Sequence, residues 1–71
     1  MQAKHQCSLS DREFEILELL VQGLPHKKIA MQLDLSKSTV DFHVGNILRE
    51  LGAENSLQAV VEAIRRGWVK I

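Results

Sequence analysis

A chain of 71 residues and 8.0 kDa holds one small hydrophobic core, which excludes a multidomain enzyme. Its 45% apolar and 25% charged residues belong to a folded domain rather than a disordered tail. Nine basic and nine acidic side chains cancel, so net charge alone does not point to a polyanionic partner.

The only cysteine, Cys7, cannot form an internal disulfide, which suits a reducing, cytoplasmic setting. The longest apolar candidate, Phe14 to Val21, is broken by Glu15 and Glu18 and is too short to cross a bilayer. Residues 1–8 lack the apolar run of a signal peptide and read as a flexible tail, leaving residues 9–71 as the domain.

Apolar residues recur at three and four rather than two, so the expected fold is all-α, a bundle of four helices. Ser10 with Glu13 has the spacing of a capping box, and Leu9 with Phe14 that of a hydrophobic staple. A first helix follows from about Asp11 to Gln22, burying Ile16, Leu17 and Leu20 and ending at Gly23. Pro25 suits a first helical position, so a short second helix runs from about Pro25 to Leu33 with Ile29, Ala30 and Leu33 inward. The chain breaks near Asp34 and Leu35, and Ser36 caps a third helix carrying Val40, Val44, Ile47, Leu48 and Leu51 up to Gly52. Asn55 or Ser56 caps a fourth, which stops at Gly67, with residues 68–71 packed back on the bundle.

Helices two and three, joined by two or three residues, have the layout of a helix-turn-helix, whose second helix can lie in a major groove. On spacing alone, an ordinary small bundle with tight turns is equally compatible. The residues add more. Leu9, Ser10, Arg12, Glu13, Ile16 and Leu17 are followed by Gly23, Lys27, Ile29, Ala30, Leu33, Leu35, Ser36, Thr39, Val40, His43, Asn46, Ile47, Leu51, Gly52, Ala59, Val60, Ala63 and Gly67. This series resembles the LuxR/GerE-type helix-turn-helix domain of bacterial transcription regulators over nearly all of the chain from Leu9 onward. The segment Val40-Asp41-Phe42-His43 with Asn46 looks most like its quorum-sensing branch. The resemblance implies a sequence-specific DNA-binding domain: helix three reads the major groove, helix two steadies it against phosphates, and helix four makes a two-fold homodimer contact. Double-stranded DNA, a second copy of the chain and RNA polymerase are the implied partners, with no cofactor, no membrane and no enzymatic activity.

Residue chemistry agrees with that reading. Lys27 and Lys28 stand at the start of helix two, where unpaired amides and the helix dipole favour a phosphate. On helix three, Lys37, Ser38, Asp41, Phe42, Gly45, Asn46 and Arg49 lie on or near the side opposite the apolar stripe. Asn46 can pair with adenine or remain a solvated amide. Arg49 can meet guanine, a phosphate or a nearby carboxylate. Phe42 can touch a thymine methyl or lean into the core. Thr39 matches a family threonine, although its hydroxyl can equally bond backbone within the turn. His43 faces the junction between helices and reads as a core or phosphate-side residue.

Some positions depart from the family's pattern. Lys28 stands where an acidic residue is usual and Pro25 where a small hydroxyl is usual. Asp41, Ser56 and Gly45 replace common positive charges. A carboxylate at residue 41 is repelled by phosphates, and at a base edge it accepts from a cytosine amino group. These departures motivate the alternative that the fold is kept as a protein-interaction module with weak or lost DNA binding. Neutrality is a sum over regions, because residues 1–24 carry two basic and four acidic side chains and residues 25–49 carry four and two.

Helix four has two apolar stripes. Ala59, Val60, Ala63 and Gly67 point to the core, whereas Leu57, Val61, Ile64 and Trp68 form a second line suited to a dimer interface. The alternative is that Ile64 and Trp68 close the core over the tail. His5, Cys7 and His26 lack the spacing of a metal site, and no Ser/His/Asp set or glycine-rich phosphate loop supports catalysis.

Overall fold

The computed structural model describes residues 8–70, among which lie four helices and no strand. The helices are α1 (Asp11–Val21), α2 (His26–Leu33), α3 (Lys37–Leu51) and α4 (Ser56–Arg65). The all-α expectation therefore holds. His5 and Cys7 lie outside the described residues, as does nearly all of the expected tail; Ser8 is exposed, with its hydroxyl donating to Glu50.

Short polar side chains start three of the helices. Ser10 accepts from the Glu13 amide at 3.1 Å and Glu13 accepts in return from the Ser10 amide at 3.4 Å, completing the capping box. Ser36 accepts from the Thr39 amide at 3.1 Å, and Asn55 from the Gln58 amide at 2.9 Å. Asn55 rather than Ser56 is thus the cap of α4. The expected place of Pro25 needs correction: its extended backbone, φ −70° and ψ 161°, puts it one position earlier, at the cap itself. Lacking a polar side chain, it leaves the first turn of α2 without a side-chain cap.

The turn between α2 and α3 contains a left-handed residue that is not glycine. Asp34 takes φ 58° and ψ 44°, which lets the Leu35 amide reach back to the Ala30 carbonyl at 2.8 Å. A short polar side chain tolerates this conformation better than most others. The sharp reversal that follows sets α3 against α2.

The third helix is the hub, since α1, α2 and α4 all pack on it. Ile16 and Leu17 from α1, Ile29 from α2, Val40 and Ile47 from α3, and Ala59 and Ala63 from α4 are wholly or almost wholly buried. Leu20, Ala30, Val44 and Leu51 complete the expected core, while Leu33, Leu48 and Val60 pack on it only partly buried. Leu19 and Val69 are further core members that the helical stripes did not single out. Val69 is buried and Trp68 half-buried, so this part of the C-terminal segment does pack back on the bundle. Gly67 is a correction to the inward stripe of helix four: it is exposed, with φ 76°, and terminates the helix.

Ile47 fills the centre of this contact from the middle of α3. Ile47→Ala should cost about 2–5 kcal/mol, a large share of the about 4–10 kcal/mol expected of a domain this size. The result is a lower urea midpoint at unchanged slope; an unchanged midpoint would show that α3 does not organise the core.

Candidate nucleic-acid interface

The third helix presents one buried and one open face. Val40, Val44, Ile47 and Leu51 are buried, whereas Lys37, Ser38, Asp41, Phe42 and Arg49 are exposed. Phe42 is 64% exposed, its ring centre 5.7 Å from that of His43 in a T-shaped arrangement, so it does not lean into the core. Thr39 is half-buried and accepts at its hydroxyl from the Ser36 hydroxyl at 2.8 Å, which makes its partner a side chain rather than backbone. The Ser38 hydroxyl lies 3.1 Å from that of Ser36. The cap of α3 is therefore a small hydroxyl cluster at the open end of the helix.

Farther along α3, the polar side chains meet α1. One Glu13 carboxylate oxygen lies 3.2 Å from His43 Nδ1 and accepts from the Asn46 amide nitrogen at 3.0 Å. Arg49 donates to the Asn46 amide oxygen. Asn46 is consequently half-buried with both ends of its amide engaged, and adenine pairing would have to compete with these contacts. Arg49 is engaged with that amide rather than with a carboxylate. His43 is the junction histidine expected from its position.

Burial tends to raise the Glu13 pKa, but the hydrogen bonds from Asn46, His43 and the Ser10 backbone outweigh it and hold the carboxyl below its ordinary value. The role of Glu13 in the capping box was legible in the sequence, but its grip on α3 was not. His43 and Asn46 are 30 and 33 residues away along the chain, and no local pattern brings them together.

A second polar group joins three helices at the other end of α3. His26 Nδ1 lies 2.7 Å from one Asp41 oxygen, Lys37 donates to the other at 2.9 Å, and His26 Nε2 lies 3.4 Å from the Ser56 hydroxyl. The bond from His26, followed by that from Lys37, holds the Asp41 carboxyl below its ordinary range. Two of the departures from the family's pattern, Asp41 and Ser56, thus share one partner. His26 was noted in the sequence only as lacking metal spacing, and its contact with α3 had no local signal. Among the described residues, no group of three or more histidine, cysteine or carboxylate side chains could hold a metal ion.

At the start of α2, Lys27 and Lys28 are exposed beside first-turn amides that lack a side-chain cap. The start of α2 therefore sets two cations beside free donors, with His26 of the same turn tying it to α3.

Comparison with known proteins places this arrangement. The family described as bacterial regulatory proteins of the luxR family matches residues 7–63. The chain belongs to the LuxR/GerE family. It is 43% identical over 63 residues to the spore germination protein GerE of Bacillus subtilis (strain 168), covering 89% of this chain and 85% of that protein. The transcriptional regulatory protein DegU of Brevibacillus brevis is also 43% identical over 63 residues, but the chain spans only 27% of its length. The solved Vibrio cholerae VqmA dimer, a LuxR-type receptor described in the absence of its target DNA, superimposes with a TM-score of 0.85 at 29% identity. That match covers 96% of this chain and 31% of the receptor. LuxR/GerE domains are DNA-binding modules of transcription regulators rather than an enzyme family.

The fourth helix of this LuxR/GerE domain divides its outer stripe. Leu57 and Val61 are 74% and 48% exposed and line a shallow apolar groove with Leu51 and Ala53. Ile64 and Trp68 are half-buried against the core, as the closing-residue alternative expected, with the Arg66 guanidinium 5.2 Å from the Trp68 ring centre. No helix of the described residues is long and apolar enough to cross a membrane.

A carboxyl whose folded-state pKa is lowered stabilises the fold fully above its unfolded value, and that contribution is lost as pH falls through the folded value. Glu13→Gln should therefore destabilise by about 1–3 kcal/mol at neutral pH. The gap from wild type should close as pH falls below the ordinary carboxyl value of 4.5. Thermal melts across this range check it; a constant gap would show that the ionised carboxylate is not what holds α3.

Proposed function

We propose that this chain reads a DNA operator as the sequence-specific module of a transcription regulator, with α3 in the major groove and α2 on the phosphates. The observation that carries the reading is the open first half of α3, where Lys37, Ser38, Asp41 and Phe42 stand exposed opposite a fully apolar buried stripe. Phe42 is 64% exposed there, where a thymine methyl can give its ring an apolar partner. Thr39 and its hydroxyl neighbours face the backbone beside it, and Asn46 and Arg49 border the groove from the far side. Lys27 and Lys28 bind a phosphate with the amides of α2. Residues 9–71 constitute the module.

Two copies act together through Leu57 and Val61, joined by the exposed parts of Ile64 and Trp68, on an operator of two-fold symmetry. The related VqmA receptor is described as a dimer with a target DNA, which supports a dimeric DNA-binding unit. RNA polymerase, the partner implied by the regulatory role, lies downstream of DNA binding. With a net charge of zero, dimerisation rather than bulk electrostatics supplies much of the affinity.

Titration of duplex DNA at several salt concentrations tests the reading. Affinity should fall as salt rises, with the shallow slope of a few phosphate contacts, and Lys28→Ala should weaken binding about equally for all sequences while reducing that slope by about one. Failure to bind any duplex at low salt, together with tight binding to a protein partner, would favour the interaction-module alternative.

A further inference from the structure

We infer that Lys37 and Asp41 act as one unit that reads a single G·C base pair from both of its bases, with His26 as the residue positioning the carboxylate. This rests on the placement of α3 in a major groove. The two side chains stand one turn apart at the start of α3, 63% and 43% exposed, with Lys37 Nζ 2.9 Å from Asp41 Oδ2. His26 Nδ1, at 2.7 Å from Asp41 Oδ1, fixes the other oxygen from α2, and the imidazole is itself steadied by Ser56 at 3.4 Å.

A G·C pair presents the complementary arrangement at the same spacing. Guanine O6 and cytosine N4 are hydrogen-bonded to each other, hence about 2.9 Å apart, and each keeps spare capacity toward the major groove. The ammonium of Lys37 has donors beyond the one given to Asp41, and the carboxylate has lone pairs beyond those facing His26 and Lys37. Lys37 then donates to guanine O6 while Asp41 accepts from cytosine N4. Inverting the pair sets guanine O6 against the carboxylate, and an A·T pair in the same orientation sets thymine O4 there; both are repulsive.

A T·A pair, with adenine at Asp41, has the right polarity and is the nearest competitor. It loses on two counts: adenine N7 is a second acceptor beside the carboxylate, and the thymine methyl crowds the ammonium. Guanine N7, by contrast, gives Lys37 an additional acceptor. The departure from the family's usual cation at residue 41 thus becomes a change of base preference rather than a loss of binding. The position of His26, joined to both Asp41 and Ser56, fits a carboxylate held in one orientation.

Selection from randomised duplexes, followed by sequencing of the bound pool, tests the assignment. The wild-type chain should prefer cytosine at one position of each half-site by about tenfold over the other bases. Asp41→Asn should turn that preference toward adenine, because an amide pairs with adenine N6 and N7, and should leave the other positions unchanged. His26→Ala should relax the same position alone, and His26→Gln, whose amide can still donate to Asp41, should restore most of the preference. An identical preference in the wild type and Asp41→Asn would overturn the inference while leaving DNA binding intact, as would equal relaxation at every position. Absence of binding to any duplex would overturn both the groove placement and this inference.

Discussion

The Glu13 carboxylate joins the start of α1 to the middle of α3, and the direction in which α3 faces depends on it. One oxygen completes the capping box at Ser10 and the other meets His43 and Asn46. These contacts constrain the rotation of α3 about its own axis, because a shift by one residue turns the helix through about 100° and takes both partners away. The half-buried carboxylate gains from having its lone pairs met, so a displaced α3 would lose these hydrogen bonds. With that face anchored to α1 and the apolar stripe buried, the side chains of the first turns are left to solvent.

The same constraint explains why the polar residues of α3 do not form a uniform binding face. Asn46 and Arg49 belong partly to the support, because the amide that Glu13 grips also receives the arginine. Asp41, Lys37 and Phe42 are nearer the open end and have exposed surface. At that end a second polar group connects α3 to α2 and α4 through His26. One region of α3 is held against α1 and the other against the starts of its two remaining neighbours. Such support from both sides suits a helix whose side chains must be presented in fixed geometry.

Much of this architecture was legible in the residues. Ser10, Ser36 and the pair Asn55-Ser56 announce three helix starts, because a short polar side chain satisfies amides that the helix cannot. Apolar spacing identified most of the buried stripes. Pro25 was misplaced by one position because the same fixed φ suits both the cap and the first turn, and only ψ separates them. Periodicity also says which residues share a face, not what covers it. The line of Leu57, Val61, Ile64 and Trp68 therefore left two outcomes open for its last two members, a second apolar face or closure of the core, and both are half-buried against the core. The contacts of Glu13 with His43 and Asn46, and of His26 with Asp41 and Ser56, link residues far apart in sequence and emerge only when the helices are assembled. The family resemblance supplied the functional direction, whereas assembly distinguished supporting side chains from exposed ones.

Backbone amide shifts of the isotope-labelled chain, followed by nuclear magnetic resonance as a duplex is added, test most directly whether this assembled face meets DNA. The largest changes should fall on Lys27 and Lys28 of α2 and on Lys37, Ser38, Asp41 and Phe42 of α3, with the exposed α1 residues Arg12, Glu15 and Glu18 little affected. Changes concentrated on α1, with α3 unmoved at saturating duplex, would contradict it.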